Sequence, residues 1–159
     1  MTEPSQNLAS LDDAVFLGRA VERLSVLIAE QTQMVFDSMG IVIPVRSCSL
    51  MMVLAAHGAA SASDLARTLG HSHQLIMQKV PKLARLGLIS HRNDDNDARR
   101  RVFFLTEKGA SQFEKFEKCT TLISAAYSDL FTEVCEVRQC VDRTTAALVK
   151  KPLSERIRA

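Results

Sequence analysis

Polar and basic side chains gather on one face of a helix that is predicted to follow Ser72. Ile76, Val80 and Leu83 recur at helical spacing, which predicts that they form the buried face of this helix. The candidate binding residues at its start and on its opposite face are Ser72, His73, Gln74, Leu75, Gln78, Lys79 and Lys82. Gln can pair with adenine, an apolar side chain can cover a thymine methyl group, and Lys can reach guanine or phosphate. The alternative interpretation is an amphipathic helix whose polar face only meets solvent.

Three consecutive arginines follow this helix and lie beside a predicted turn. The turn formers at 93–97 separate two strand-like runs at 88–92 and 101–105, a pattern that predicts a β-hairpin. Arginines at the base of such a hairpin suit insertion into a narrow, electronegative minor groove. The candidate residues for this contact are Arg99, Arg100 and Arg101. We also expect at least one of these arginines to pair with Asp97, which would brace the hairpin.

Glycines and capping residues divide the rest of the chain into helices. Gly40, Gly58, Gly70 and Gly87 each follow an apolar stretch of helical period, which predicts four helix ends. The predicted helix starts contain Pro44 in a first turn, Ser61 with Asp64 in a capping box, and Ser72 and Thr106 as caps. A helix, a glycine-containing turn, a second helix and a hairpin form a winged helix-turn-helix. The predicted fold is therefore α/β and mostly helical, with the wing between the fourth and fifth of six helices.

The first and last helices are predicted to be long and to carry apolar stripes. The first covers about residues 11–39 with near-heptad apolar spacing. Its length of roughly 40 Å exceeds what so small a domain can cover, so we expect a homodimer. We predict one domain over residues 1–159, with dimerisation helices at 1–40 and 110–159 and a winged helix DNA-binding lobe at 41–109.

Composition and charge exclude several other classes of protein. Apolar residues form 47% and charged residues 24% of the chain, which is typical of a soluble globular protein. We expect neither a membrane partner nor a secretory signal, because no apolar run reaches roughly 18 residues and the N-terminus lacks a basic and apolar leader. The net charge is +2, yet residues 71–109 carry eight Lys or Arg and four Asp or Glu, where a polyanion would bind. The four cysteines show no disulfide framework, so we expect a cytoplasmic location.

Four segments carry a specific pattern in a fixed order. Residues 61–70 read Ser-x-x-Asp-Leu-Ala-x-x-Leu-Gly, and residues 83–89 read Leu-Ala-x-Leu-Gly-Leu-Ile. Residues 97–99 read Asp-x-Arg, and residues 105–109 read Leu-Thr-Glu-Lys-Gly. With this order and spacing the chain resembles the multiple-antibiotic-resistance regulator (MarR) family of bacterial transcription factors.

This resemblance implies a sequence-specific regulator, which we interpret as a repressor, that binds a pseudo-palindromic operator as a homodimer. It also implies release by a small-molecule effector, often an aromatic acid or a phenolic. The effector would bind in a crevice between the dimerisation and DNA-binding parts, where Arg46 could meet a ligand carboxylate. Two residues depart from the family pattern. Ala98 stands where the wing often has an arginine, and Pro81 lies inside the recognition helix, where we expect it to cause a bend.

Other residues offer chemistry that this resemblance does not use. Cys48 could sense oxidants, although a free cysteine of this kind is more often a small buried hydrophobe. Cys135 and Cys140 would not share a face if both lay on one helix. His71 and His73 fit no zinc spacing, and no catalytic constellation stands out, so we expect no metal, cofactor or enzyme activity. Two rival functions are a protein-interaction module that no longer reads DNA and a DNA-binding regulator triggered by oxidation or a metal.

Overall fold

The helices and strands of the computed structural model follow the predicted order, and the fold is mostly helical with a small antiparallel sheet. The described residues are 11, 13–94, 97 and 99–157. The predicted departure at Ala98 and the first ten residues of the predicted dimerisation segment lie outside them. The helices are α1 (Leu17–Ser38), α2 (Cys48–His57), α3 (Ala62–Leu69), α4 (His73–Arg85), α5 (Glu107–Glu133), α6 (Val137–Lys150) and α7 (Leu153–Arg156). The strands are β1 (Ala59–Ser61), β2 (Ile89–Asn93) and β3 (Arg101–Leu105).

The chain groups into two compact units, residues 1–117 and 118–159. The first unit contains α1 to α4, the sheet and the start of α5. The second unit contains the rest of α5 together with α6 and the short helix α7, which the residue pattern did not predict.

The last long helix begins later than expected. Val134 was predicted to belong to it, but α6 starts at Val137 and Val134 lies in the preceding turn. Cys135 lies in the same turn and not on a helix, so the helical spacing predicted for Cys135 and Cys140 is wrong.

The wing is part of a sheet with one more strand than the predicted hairpin. β2 and β3 form that hairpin, with His91 opposite Phe103. β1 pairs antiparallel with the other edge of β3, with Ala60 opposite Phe103 and Ser61 opposite Val102. The three residues of β1 have little intrinsic preference for strand, so this strand depends on its pairing with a distant part of the chain.

The predicted helix caps are present, with one exception. The Ser61 hydroxyl accepts from the amide of Asp64 at 3.2 Å, and the Asp64 carboxylate accepts from the amide of Ser61 at 3.1 Å. The Ser72 and Thr106 hydroxyls each accept from the amide three residues further on, at 3.2 and 3.0 Å. The four predicted helix-ending glycines have φ between 62° and 73°, the left-handed region that favours glycine. Pro44, in contrast, is extended and precedes a short 3-10 turn that leads into α2.

The inner faces of four helices form the core of the first unit. Leu50 and Leu54 of α2, Leu65 of α3, and Ile76 and Leu83 of α4 are at most 1% exposed. Burial of these apolar side chains stabilises the arrangement by about 25 cal/mol for each Å² removed from water. It also fixes which face of α4 is directed towards solvent.

The start of α5 lies directly against the turn that precedes β2. The Thr106 hydroxyl donates to the carbonyl of Gly87 at 2.6 Å, and the amide of Thr106 donates to the carbonyl of Leu88 at 3.1 Å. A Cβ atom added to Gly109 would lie 1.9 Å from the Leu88 carbonyl oxygen. Glycine is therefore required at this position by the close approach of two backbone segments.

Several helices present apolar side chains to solvent in the single chain. Within α1, all of which is described, Phe36 alone is buried. The exposed apolar residues of α1 include Val21, Leu24 and Leu27, and those of the second unit include Leu130, Val141 and Leu148. Contiguous apolar surface of this kind usually marks an interaction site. None of the described helices is long and apolar enough to cross a membrane.

Candidate nucleic-acid interface

α4 is the second helix of a helix-turn-helix. The chain turns at Gly70, and Ser72 then caps α4. Ile76, Val80 and Leu83 are buried, as predicted, so the other side of α4 meets solvent. Of the predicted contact residues, the exposed ones are Ser72, His73, Gln74, Gln78 and Lys82, and the half-buried ones are Leu75 and Lys79. This side of α4 offers amide, imidazole, ammonium and hydroxyl groups, which can hydrogen-bond to base edges and phosphates.

Two further side chains are exposed on α4. Met77 is 41% exposed, and an apolar side chain in this position can cover a thymine methyl group. The residue pattern did not assign it a role because a methionine between buried positions is typical of a core. α4 continues through Pro81 to Arg85, although Pro81 cannot donate to the carbonyl of Met77. The effect of Pro81 on DNA recognition stays a prediction.

Asp97 organises the wing through backbone groups. Its carboxylate accepts from the amide of Arg99 at 3.0 Å, and its carbonyl accepts from the amide of Arg100 at 2.8 Å. The Arg100 carbonyl in turn accepts from the amide of Asp94 at 2.7 Å. We expected a guanidinium group as the partner of the Asp97 carboxylate, whereas the structure shows a backbone amide. A carboxylate that binds the amide two residues further on is a common way to fix a tight turn.

The side chain of Arg100 links the wing to the N-terminus of α3. Its guanidinium group forms an ion pair with Asp64 and donates to the Ser61 hydroxyl at 3.1 Å. Its Nε also lies 4.0 Å from the Asp94 carboxylate. The sequence placed Arg100 in a DNA groove, but here it is held by two acidic residues. Arg99 and Arg101 are exposed.

Asp64 is the acidic centre of this link. The hydrogen bond from the Ser61 hydroxyl lowers the pKa of Asp64 most, partial burial opposes that effect, and the Ser61 amide and Arg100 lower the pKa further. Arg67 also donates to Asp64, at 2.8 Å. Asp64 is therefore charged at neutral pH and binds the helix cap, the wing and one α3 side chain together.

A cavity of about 430 Å³ lies between α1, the turn before α2 and the outer side of α4. Its lining includes Glu30, Gln33, Arg46, Gln78, Lys79 and Lys82. Burial, and then the positive charge of Arg46, lower the pKa of Lys79. The cavity thus brings Arg46, predicted as an effector contact, next to three residues that were predicted to contact DNA. Three cations around one carboxylate give it a net positive lining, which suits an anion.

The remaining candidates show no assembled site. Cys48 is half-buried, and its Sγ donates to the carbonyl of Pro44 at 3.8 Å. Its proposed redox role stays a prediction. Among the described residues there is no group of three or more side chains that could hold a metal ion.

Together these elements define a winged helix-turn-helix protein with an arginine-containing wing. Residues 43–100 match the model of the MarR family. The chain belongs to the MarR family of transcription regulators. A comparison with curated protein sequences finds no significant match.

Several solved structures of regulators share the fold. The PcaV regulator of Streptomyces coelicolor, in complex with its natural ligand, is 18% identical, with 91% of this chain and 99% of PcaV covered and a TM-score of 0.64. A mutant of MarR from E. coli complexed with operator DNA is 17% identical, with 90% and 97% covered and a TM-score of 0.61. A probable transcriptional regulator from Pseudomonas aeruginosa is 20% identical, with 88% and 99% covered and a TM-score of 0.60. At these identities the similarity establishes the fold.

Proposed function

We propose that this chain is a sequence-specific DNA-binding repressor that acts as a homodimer and is released from DNA by a small anionic effector. The observation that carries the proposal is the solvent-facing polar side of α4, placed second in a helix-turn-helix and followed by an arginine-containing wing. The operator-bound structure of E. coli MarR, which shares the fold, supports DNA as the partner. The chain is then a regulator and not an enzyme, and it acts in the cytoplasm, where it meets DNA.

In this proposal α4 lies in the major groove and the wing lies in the adjacent minor groove. Gln74 and Gln78 hydrogen-bond to base edges, while Lys82 reaches phosphate or guanine. Arg99 and Arg101 contact the minor groove or its phosphates. Ser72, His73 and Leu75 at the start of α4 complete the predicted contact surface, and Arg100 holds the wing against α3.

The homodimer would bury apolar side chains that the single chain exposes. Val21, Leu24 and Leu27 of α1 are between 44% and 50% exposed, and they recur on one side of the helix. We assign residues 1–40 and 110–159 to dimerisation and 41–109 to DNA binding. A twofold dimer would bind a pseudo-palindromic operator whose half-sites lie about one helical turn apart.

The effector would bind in the cavity between α1 and α4. Arg46 lines this cavity with Lys79 and Lys82, and a carboxylate or phenolate would offset their mutual repulsion. An aromatic acid or a phenolic also suits the apolar part of a ligand pocket of this size. The structure of PcaV with its natural ligand, which has the same fold, supports a ligand-responsive regulator.

Fluorescence anisotropy with operator DNA tests the proposal. An operator is first selected from a random duplex library, and affinity is then measured on it and on random duplex over a range of salt. Gln78→Ala should cost about 1–3 kcal/mol per half-site on the operator and little on random duplex, because base contacts carry discrimination. Gln139→Ala, at an exposed glutamine of α6, is the matched control and should change neither. A protein with no salt-dependent affinity for any duplex would contradict the proposal.

A further inference from the structure

The turn between α5 and α6 brings two cysteines to positions where side chains meet. α5 ends at Glu133, and Glu136 immediately precedes the first residue of α6, Val137. Cys135 is therefore the second residue before the helix, and Cys140 is its fourth residue. Side chains at these two positions commonly pack against each other across the first helical turn. The backbone is fixed by bonds from the amide of Val137 to the Cys135 carbonyl at 2.7 Å and from the amide of Cys140 to the Glu136 carbonyl at 3.1 Å.

The two thiols contact each other and are open to solvent. A side-chain hydrogen bond joins Cys135 and Cys140. Both residues are exposed and neither forms a disulfide. Partial desolvation, followed by the neighbouring Cys140 and Glu136, raises the pKa of Cys135, so its sulfur stays protonated near neutral pH.

The other two cysteines of the chain lack this combination. Cys119 is fully buried. Cys48 is half-buried and donates to a backbone carbonyl. Oxidation requires access to the sulfur, and formation of a disulfide requires a second thiol within reach. The pair in the α5–α6 turn meets both conditions.

We infer that Cys135 and Cys140 form a dithiol site that a hydroperoxide converts reversibly into an intrachain disulfide. The Cys140 sulfur attacks the O–O bond of the hydroperoxide, becomes a sulfenic acid and releases an alcohol, or water when the oxidant is hydrogen peroxide. The Cys135 thiol then attacks this sulfur, the S–S bond forms and water leaves. The two thiols lose two electrons and two protons, which the hydroperoxide takes up. A dithiol reductant restores both thiols by exchange.

Peptide mapping of the full chain tests this inference independently of DNA binding. Reduced protein is treated with hydrogen peroxide, remaining thiols are alkylated, and the chain is digested with trypsin. Trypsin cleaves after Arg138, between the two cysteines, so the disulfide must link peptides 119–138 and 139–143. Peptide 119–138 also contains Cys119, so the measurement is made in the Cys119→Ala variant as well. The expected result is the linked pair of peptides and the loss of two of the four free thiols.

Single substitutions supply the controls. Cys135→Ser and Cys140→Ser should each abolish the linked peptides, whereas Cys48→Ala should retain them. In Cys135→Ser the sulfenic acid on Cys140 should persist and react with dimedone. The inference is overturned if the disulfide joins two chains, if it involves Cys48 or Cys119, or if both sulfurs of the wild type are oxidised to sulfinic acid without a disulfide. Helical circular dichroism identifies any variant that fails to fold.

Discussion

Arg100→Ala is expected to loosen the wing from α3 and not to remove an interaction with DNA. Arg100 and Asp64 form an ion pair in which their side chains are 44% and 26% exposed. Solvent screens a pair of this kind, so we expect a coupling free energy of about 1 kcal/mol rather than the several kcal/mol of a buried pair. In a chain of this size, a destabilisation of about 1 kcal/mol corresponds to a fall of roughly 2–4 °C in Tm.

A double-mutant cycle in urea measures this coupling. Asp64→Ala also removes the capping box of α3, so the single substitution should cost about 1–2 kcal/mol, and the cycle separates the ion pair from the cap. The pH dependence checks the sign. Because the pKa of folded Asp64 lies below its ordinary value of 3.8, its stabilising effect is present above that pH. It should be lost as the pH falls through the lower, folded value.

DNA binding by the same variants separates the two roles of the wing arginines. Arg99→Ala is the matched control, because that side chain is exposed and is proposed to interact with the minor groove. It should flatten the slope of log affinity against log salt by up to about one unit for each phosphate that the arginine no longer neutralises. Arg100→Ala should leave the slope unchanged and lower affinity equally at each salt concentration. A coupling near zero with Asp64, or a flattened slope for Arg100→Ala, would refute this reasoning.

Three further outcomes follow from the packing, the exposed faces and the cavity. Gly109→Ala should destabilise the fold by about 1–3 kcal/mol in urea unfolding, because the new methyl group would overlap the Leu88 carbonyl, while Gly18→Ala, with no atom within 4 Å, should be neutral or stabilising; equal effects would contradict the steric argument. Leu24→Glu should shift the mass measured by light scattering from a dimer towards a single chain, and an unchanged dimer would place the interface elsewhere. Arg46→Ala should weaken binding of benzoate, used as an aromatic carboxylate probe, by roughly tenfold or more in calorimetry, and unaltered binding would exclude Arg46 from the site.

The sequence predicted the features that depend on neighbouring residues. The capping box of Ser61 and Asp64 and the cap at Ser72 are contained within four residues each. The buried face of α4 follows from the helical period of Ile76, Val80 and Leu83. These local signals were sufficient to give the helix-turn-helix and the position of the wing.

Features that depend on distant residues, or on the exact end of a helix, were not predicted. β1 exists because it pairs with β3, which lies far along the chain, and its own side chains give no strand signal. The ion pair of Arg100 with Asp64 joins residues 36 positions apart, so the wing arginines looked equivalent in the sequence. The interaction of Cys135 with Cys140 depends on where α6 begins, and helix ends are the least certain part of any pattern.

The cavity between α1 and α4 connects the two ligands of the proposed regulator directly. Lys79 and Lys82 line the cavity and also belong to the side of α4 that is proposed to meet DNA. An anion beside Arg46 would therefore compete with DNA phosphate for the same ammonium groups. A charge-assisted hydrogen bond contributes about 1.5–3 kcal/mol, so removing one such bond to DNA in each protomer would reduce operator affinity by a factor of roughly 100 or more. Because coupling between two ligands is reciprocal, bound operator would weaken effector binding by the same factor. Release by this route requires no displacement of α4, since the effector acts on the residues that hold the DNA.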